Sequence, residues 1–297
     1  MSAVTSLATG TPYGVERVCA TWDLPRSTLY ARRAREATPP APGKRRGPSP
    51  LISDEDLLAL VEADLASSPF PGEGHRKVWA RLRVRDNARV ARKRVLRIMR
   101  DNHLLSPHRA RRSNDGAHDG TITTLVPNDM WGTDGARVET VEQGLVWVFV
   151  AVEHWNAECV GWHVAKKGDR YAALEPIAMG LRDIYGGLGC DVARGLTVRM
   201  DNGTQYVSDH FRNQVRFWGI ETSYAFVEQP QTNGVAERFI RTLKEQVIHG
   251  RVFQNVEQLR EAVAAFAELY NAQWLVEKLG FVSPRRAREL YALRPAA

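Results

Sequence analysis

The sequence has few cysteines, no long apolar run and no recognisable leader in its first residues. Its three cysteines, Cys19, Cys159 and Cys190, are odd in number and far apart, so they form neither a disulfide framework nor a metal-knuckle spacing. The longest apolar run, residues 145–152, is eight residues long, whereas a membrane-spanning helix needs about 20. Residues 1–10 show no basic start followed by an apolar stretch, so we expect no signal peptide. We therefore expect a reduced, cytoplasmic protein without a membrane segment.

Two common kinds of active site are also missing from the sequence. No Gly-x-Ser-x-Gly elbow and no Cys/His pair stands out, so catalysis by a serine or cysteine nucleophile has no support. No Gly-x₄-Gly-Lys-Ser/Thr loop is present, so an ATP site is not expected. The 297 residues are enough for one large domain and one or two small ones.

Basic residues are concentrated in the first 120 residues, which hold 22 Lys/Arg against 13 Asp/Glu, while the remainder holds 19 against 21. Between His75 and Arg112 there are 14 basic residues and two acidic ones. A basic front half joined to a near-neutral remainder is typical of a polyanion-binding module attached to a domain with a different task. Nucleic acid is the expected partner. A basic surface that only keeps the protein soluble is the alternative.

The front half divides into helical segments and polar linkers. Residues 1–36 contain two short helices within Tyr13–Arg35 that flank a turn at residues 22–25, as in a helix-turn-helix, although a plain helical hairpin is also possible. Residues 37–50 hold five prolines and a Lys-Arg-Arg run, which predicts an extended basic linker. Residues 51–105 predict a second helical module that binds DNA, and residues 106–127 a second basic linker.

The third helix of the second module carries a row of cations. They recur at i, i+4, i+8 and i+11, at Arg89, Lys93, Arg97 and Arg100. Four cations on one stripe repel one another unless an anion lies against them, which favours contact with DNA phosphates. A solvated Lys/Arg face is the alternative.

From residue 128 onwards the pattern changes to short β-rich segments. Three strands joined by polar turns are followed by alternating helices and strands, in the order βββαβαβα. The predicted strands are 131–138, 145–152, 159–165, 196–200 and 222–226. This order implies an α/β core at residues 128–250, with a mixed five-stranded sheet and helices packed on it. Residues 251–297 predict a C-terminal helical tail.

Three carboxylates lie within a strand, at the end of a strand and at the start of a helix of this core. Asp134 lies inside the first strand, where a carboxylate is costly unless it is paired or binds a metal. Asp201 ends a strand before Asn-Gly, and alone it could be a turn former. Glu237 lies in the first turns of a helix, where it could simply favour the helix dipole. Together, the three could converge at one sheet edge as oxygen ligands for Mg²⁺. Two such ions about 3.5–4 Å apart can support in-line phosphoryl transfer.

The residues around these carboxylates resemble a known family. Residues 201–206, Asp-Asn-Gly-Thr-Gln-Tyr, and residues 231–239, Gln-Thr-Asn-Gly-Val-Ala-Glu-Arg-Phe, resemble the second-aspartate and glutamate motifs of the integrase catalytic core superfamily. The 35-residue gap between Asp201 and Glu237 and the basic Lys244 are similar to those of the OrfB-type transposases of the insertion sequence three family. Residues 74–82 and 279–284 also resemble that family. Residues 272–278 depart from its pattern, so no role is carried over to them.

The resemblance implies an RNase H-like fold in which Asp134, Asp201 and Glu237 hold Mg²⁺ or Mn²⁺, two ions per site, for DNA strand cleavage and joining. Asn233, Arg76 and Lys77 lie in the resembling stretches and are also expected to contact DNA. The same is expected of two residues on the helix of Glu237, Arg241 and Lys244. The His/His/Cys/Cys module of retroviral integrases is absent from the sequence, so no zinc is expected.

The helix that carries Glu237 also places two basic residues on the same face as the glutamate. Glu237, Arg241 and Lys244 lie at i, i+4 and i+7, opposite an apolar face. The stripe would run from a metal ligand to two cations suited to flanking phosphates. An intrahelical Glu237–Arg241 ion pair is the alternative.

The expected function is therefore that of an insertion-sequence transposase of the bacterial cytoplasm, associated with the nucleoid. It would bind transposon ends and target DNA as a homo-oligomer, and an upstream reading-frame product could be its fusion or partner. Two alternatives remain: a catalytically dead DNA-binding regulator of the element, and a structure-specific RNase H-like nuclease that cuts without joining.

Overall fold

The structure, a computed structural model, describes residues 3–37, 51–106, 122, 124–224 and 233–294. The chain forms two compact units, Met1–Leu51 and Ile52–Ala297. Both predicted proline-rich and basic linkers fall largely outside the described residues, as does Phe226 at the end of the last predicted strand.

The first unit contains the two predicted short helices, α1 (Gly14–Thr21) and α2 (Arg26–Ala37). The turn between them passes through Asp23 at φ +46°, a left-handed conformation that aspartate tolerates better than most residues. Within residues 3–37 only Cys19 is buried. The helical hairpin therefore has almost no apolar core of its own.

The second unit begins with a three-helix module, α3 (Asp54–Ser67), α4 (His75–Arg85) and α5 (Arg92–Asp101). The hydroxyl of Ser53 caps α3 by accepting the Asp56 N–H at 3.0 Å, which satisfies a backbone donor that the helix leaves unpaired. The helices meet over a small apolar core formed by Leu57, Val61, Val78, Leu82, Ala88, Val95, Ile98 and Met99.

A buried ionic network crosses this module. Arg81 donates to Asp64 at 2.7 Å and also binds Glu73, and both carboxylates are almost fully buried. Lys77 lies 3.1 Å from the second oxygen of Glu73. Buried carboxylates are tolerated only when cations neutralise them, so Arg81 is what allows these two acids to be inside.

The large domain is built on a mixed five-stranded sheet, as the sequence predicts. Its strands are β1 (Met130–Thr140), β2 (Gly144–Glu153), β3 (Cys159–Ala165), β4 (Thr197–Met200) and β5 (Glu221–Tyr224). Their order is β3-β2-β1-β4-β5. The first three strands pair antiparallel, while β4 and β5 run parallel to β1. Because β4 pairs with the first residues of β1, the end of β4 lies beside the middle of β1, and the second half of β1 extends beyond it.

Helices cover both faces of the sheet. On one face α6 (Arg170–Tyr185) and α7 (Asp209–Phe217) bury Trp131, Phe149 and Val198. On the other, α8 (Gly234–Leu243) and α9 (Val256–Gln273) bury Ala136 and Val138. Alternate residues of a strand point to opposite faces, so Asp134, in phase with Ala136 and Val138, belongs to the α8 face.

The helix that carries Glu237 changes its hydrogen-bonding pattern after Leu243. Helix α8 ends at Leu243 and continues as a π-helical segment, Lys244–Ile248. A 3-10 turn, Glu277–Leu279, and helix α10 (Pro284–Ala292) complete the tail. No helix among the described residues is long and apolar enough to cross a bilayer.

Close backbone packing joins α6 to β3. A Cβ on Gly161 would lie 1.8 Å from the carbonyl oxygen of Pro176, so only glycine fits at this point of the strand. Pro176 lies inside α6 and lacks an N–H, which removes one helical hydrogen bond where the strand approaches.

The three-helix module docks on the large domain through aromatic and polar contacts. Phe70 packs edge-on against Trp274 at 5.0 Å, and Trp79 against Phe281 at 5.9 Å. The Gln246 amide donates to the carbonyl of Pro71 at 3.0 Å. These contacts make the module and the core parts of one compact unit.

Candidate active site

Asp134 occupies the middle of β1, on the face that α8 covers. The N–H of Gly135 donates to Asp134 Oδ1 at 2.7 Å. The pKa of this carboxyl is raised to about 6, mainly by burial and also by the negative charges of Asp201 and Glu237, while the Gly135 hydrogen bond and the positive charge of Lys244 oppose the rise. The groups that the sequence predicts to form one site are thus close enough to act on Asp134 electrostatically.

Asp201 directly follows the last residue of β4 and is exposed. The parallel register pairs Gly132 with Arg199, and Asp134 and Asp201 each lie two residues further along. The two aspartates therefore lie at the same level of the sheet, Asp134 within β1 and Asp201 just past the end of β4. The N–H of Gly203 donates to Asp201 Oδ1 at 2.9 Å, so the turn-forming role and a place beside Asp134 are compatible.

Glu237 is the fourth residue of α8, in its first turn. The helix is tied to the sheet at its start, because the amide nitrogen of Asn233 donates to the carbonyl of Thr133 at 2.9 Å. Thr133 precedes Asp134, so this one hydrogen bond couples the start of the glutamate helix to the strand of the first aspartate. A negative side chain at this end of α8 also faces the positive end of the helix dipole.

The donor set consists of carboxylate oxygens, which suits a hard divalent cation. Within the described ranges, no three His, Cys, Asp or Glu side chains lie close enough together to form a ready-made metal cage. Mg²⁺ seldom uses such a cage: it binds one or two carboxylates and completes its shell with waters and substrate phosphates. The carboxylates of Asp201 and Glu237 repel that of Asp134 and contribute to its raised pKa, so the three side chains fit an open site of this kind, in which a cation would offset their charge.

Lys244 and Arg241 continue the stripe from Glu237. Lys244 is half-buried at the first residue of the π-helical segment, and its charge lowers the pKa of Asp134. Arg241 is exposed in the last turn of α8. One predicted cation is thus directed at the carboxylates, while the other faces solvent.

Asn233 has a different environment from the one expected for a DNA contact. It is 2% exposed, and its amide nitrogen is already used by Thr133. In this structure Asn233 ties the start of α8 to β1, and a direct DNA contact by Asn233 stays a prediction.

Some of the residues of the three-helix module that are expected to contact DNA bind acidic residues of the protein, and others are exposed. Lys77 is buried against Glu73 with its amine over the Trp274 ring, and burial lowers the pKa of Lys77 to about 8. Arg76 binds Glu277 at 2.6 Å. The amine of Lys77 lies inside the protein in this structure, and its contact with DNA stays a prediction.

The four cations predicted to form one row differ in their surroundings. Helix α5 begins at Arg92, so Arg89 precedes it. Arg97 binds Asp54 at 2.7 Å and lies 3.5 Å from Asp101, so the anion that the row requires at this position comes from the protein itself. Arg89, with Lys93 and Arg100 on α5, is exposed.

Two buried residues near the carboxylates escaped the sequence analysis. Tyr206 is fully buried, and its pKa is raised by burial and by the charges of Asp134 and Asp201. Its place in the Asp201 motif is the signal that could have identified it. His154 is 4% exposed beside Gly132. It follows β2 in no recognisable motif, so only the fold reveals it.

Comparisons with known proteins identify the fold and the family. The family model described as an integrase core domain matches residues 218–284, which include Glu237 and Lys244. The model described as an HTH-like domain matches residues 70–112, on α4 and α5. The simian T-cell lymphotropic virus intasome, solved with the PP2A regulatory subunit B56 gamma, has a chain with TM-score 0.50 and 15% identity, covering 76% of this chain and 74% of that one. This likeness supports the predicted RNase H-like fold.

Curated relatives identify the family. The transposase InsD for insertion element IS2A/D/F/H/I/K of Escherichia coli is 30% identical over 241 residues, 78% of either chain. The transposase InsD for insertion element IS2-9 of Escherichia coli (strain K12) has the same identity over 78% of this chain and 76% of its own. The chain thus belongs to the transposases of the insertion sequence three family, as its motifs predict.

Proposed function

We propose that this transposase cuts and joins DNA strands with a divalent-metal site formed by Asp134, Asp201 and Glu237. The observation that supports it best is the electrostatic coupling of Asp134, whose pKa is raised by burial and by the other two carboxylates. Such repulsion is relieved when a cation lies among the three charges. The raised pKa of Asp134 therefore supports the proposal that a cation binds beside it.

Each side chain has a role that follows from its position. Asp134 and Asp201, at the same level of neighbouring strands, would hold Mg²⁺ or Mn²⁺ between them. Glu237 would close the third side from α8. Two bound Mg²⁺ ions would supply an activated water or 3′-hydroxyl and neutralise charge on the phosphate that is attacked. Lys244 and Arg241 would hold the phosphates next to the reacting one.

The DNA surface that we propose for the three-helix module is narrower than the sequence suggests. Arg89, Lys93 and Arg100 are exposed, whereas Lys77 and Arg97 bind acids of the protein. Exposed arginines and lysines are free to contact phosphates at a modest cost in side-chain entropy. We also propose a homo-oligomer on transposon ends in the bacterial cytoplasm. An upstream reading-frame product as partner stays a prediction.

The test uses labelled DNA carrying the end sequences of the element that encodes the chain. Asp134→Asn, Asp201→Asn and Glu237→Gln should each lower Mg²⁺-dependent nicking and strand transfer by at least 100-fold while DNA binding persists. The exposed Asp183→Asn and Glu221→Gln are matched controls and should retain activity. Unchanged nicking in the three variants would reject the site. Binding without cleavage by the unmodified protein would indicate a regulator, and cleavage without joining a nuclease.

A further inference from the structure

An acidic side chain of the C-terminal tail lies between two arginines of the three-helix module. Glu277 places one carboxylate oxygen 2.6 Å from Arg76 Nη1 and the other 3.6 Å from Arg92 Nη1. Arg76 is the second residue of α4, and Arg92 is the first residue of α5. One carboxylate thus bridges the starts of two helices of the module. We call these three side chains the Glu277 cluster.

The Glu277 cluster has more positive than negative charge around it. The pKa of His75 is lowered first by burial and then by three arginines around it, namely Arg76, Arg92 and Arg100, while Glu277 acts in the opposite direction. Neither α4 nor α5 has an acidic residue in its first turn. Cations at the start of a helix are unfavourable, because they face the positive end of the helix dipole. One carboxylate among three guanidinium groups therefore leaves a surplus of positive charge.

The ion pairs of the Glu277 cluster are more exposed than another ion pair of the same module. Asp54 binds Arg94 at 2.7 Å, and the Arg94 side chain is only 18% exposed. In the Glu277 cluster, by contrast, 47% of Glu277, 55% of Arg76 and 49% of Arg92 are exposed. Exposed ion pairs contribute little to stability, because water and salt screen both charges. The carboxylate of Glu277 can therefore be exchanged for another anion at small cost.

A DNA phosphate is the anion whose chemistry fits this position. Guanidinium groups bind the oxygens of carboxylates and of phosphates through the same pairs of N–H donors, so a site that accepts one also accepts the other. Arg92 adjoins Lys93, one of the exposed cations of the DNA surface proposed above. A duplex that lies against that surface therefore brings phosphates to the Glu277 cluster.

We propose that Arg76 and Arg92 form a phosphate-binding site, and that Glu277 occupies it in the free protein until a DNA phosphate displaces the carboxylate. Glu277 is then a competitor that weakens DNA binding by the module. DNA binding in turn breaks one contact between the module and the tail. The inference rests on the proposed function, because it concerns how the module binds the DNA on which the carboxylate site acts.

The test compares substitutions that are matched in charge. Glu277→Gln removes the competitor and leaves both arginines in place. Glu268→Gln is its control, because it removes a carboxylate of the same tail that is paired at 2.6 Å with Arg285, outside the module. Arg92→Gln, combined with Glu277→Gln, removes half of the phosphate site. Arg285→Gln in the same combination is the matched control.

Binding is measured by fluorescence anisotropy in EDTA, with labelled duplex DNA that carries the end sequence of the element encoding the chain. At about 0.1 M salt, Glu277→Gln should bind about 3- to 10-fold more tightly than the unmodified protein, because the phosphate no longer competes with a carboxylate. Adding Arg92→Gln should cancel this gain, whereas adding Arg285→Gln should leave it. Glu268→Gln should change the Kd by less than about two-fold.

The outcomes that would overturn the proposal are distinct from failure of the metal site. Unchanged or weaker binding by Glu277→Gln would reject it, and a lowered melting temperature of that variant would then assign Glu277 to docking alone. An equal gain in Glu268→Gln, or a gain that survives Arg92→Gln, would show a general effect of net charge. No binding by the unmodified protein and by Glu277→Gln would reject both this site and the DNA-binding role of the module. Because no metal is present, nicking by Asp134→Asn tests the carboxylates separately.

Discussion

Replacing Asp134 by asparagine should stabilise the metal-free protein while abolishing its activity. The pKa of the Asp134 carboxyl is raised from 3.8 to about 6, mainly by burial. One pKa unit corresponds to about 1.4 kcal/mol, so the charged carboxylate destabilises the fold by about 3 kcal/mol at pH 7. Asparagine has the same shape, keeps an oxygen for the Gly135 N–H and carries no charge. For a unit of this size, the melting temperature should rise by about 5–10 °C.

The assay is thermal and urea unfolding of both proteins in EDTA and in Mg²⁺. Because the pKa is higher in the folded state, the difference between Asp134→Asn and the unmodified protein should be full above pH 6. It should disappear as the pH falls towards 3.8, where the carboxyl is protonated in both states. Mg²⁺ should stabilise the unmodified protein and have less effect on Asp134→Asn.

The exposed Asp183→Asn serves as the control and should change the free energy of unfolding by less than about 0.5 kcal/mol. If Asp134→Asn lowers the melting temperature in EDTA, the carboxylate is not the strained group that we infer. An equal gain from Mg²⁺ in both proteins would place the bound metal elsewhere.

Three further predictions concern stability. Arg81→Leu removes the main cation from the buried carboxylates of Asp64 and Glu73. It should lower the free energy of unfolding, measured in urea, by about 3–5 kcal/mol, whereas the same substitution at exposed Arg89 should leave it almost unchanged. Gly161→Ala forces β3 away from Pro176 and should destabilise by about 3 kcal/mol or more; an unchanged melting temperature would contradict the close packing. His154 stays neutral when folded, with its pKa lowered from 6.5 to about 4, so its contribution to stability is present above pH 6.5 and is lost towards pH 4. Between pH 6.5 and pH 4, the free energy of unfolding should therefore fall by about 3 kcal/mol less for His154→Gln than for the unmodified protein.

Much of the core could be predicted because its signals are local. Alternating apolar residues mark the strands, and the boundaries predicted for 145–152 and 159–165 differ from β2 and β3 by at most one residue at each end. Asp134 was conspicuous because a charge inside a β-rich segment violates that alternation. The structure agrees by burying it enough to raise its pKa.

The cations were harder to interpret because their partners are distant in sequence. Arg76 binds Glu277, 201 residues away, and Arg97 binds Asp54, 43 residues away. Charge spacing along a helix shows which side chains share a face, but not which acid the fold brings to them. His154 escaped for the same reason, since its place depends on how α8 and the end of β2 meet above one glycine.

The docking of the three-helix module has a geometric consequence for the reaction. Phe70, Trp79 and Gln246 join it to the domain that carries Asp134. If the exposed basic residues of α5 grip a transposon end, the distance from the gripped bases to the attacked phosphate is built into the protein. The module would then act as a ruler, so that inserting base pairs between the recognised sequence and the cut should shift the cleavage position along the DNA and keep its distance from the recognised bases.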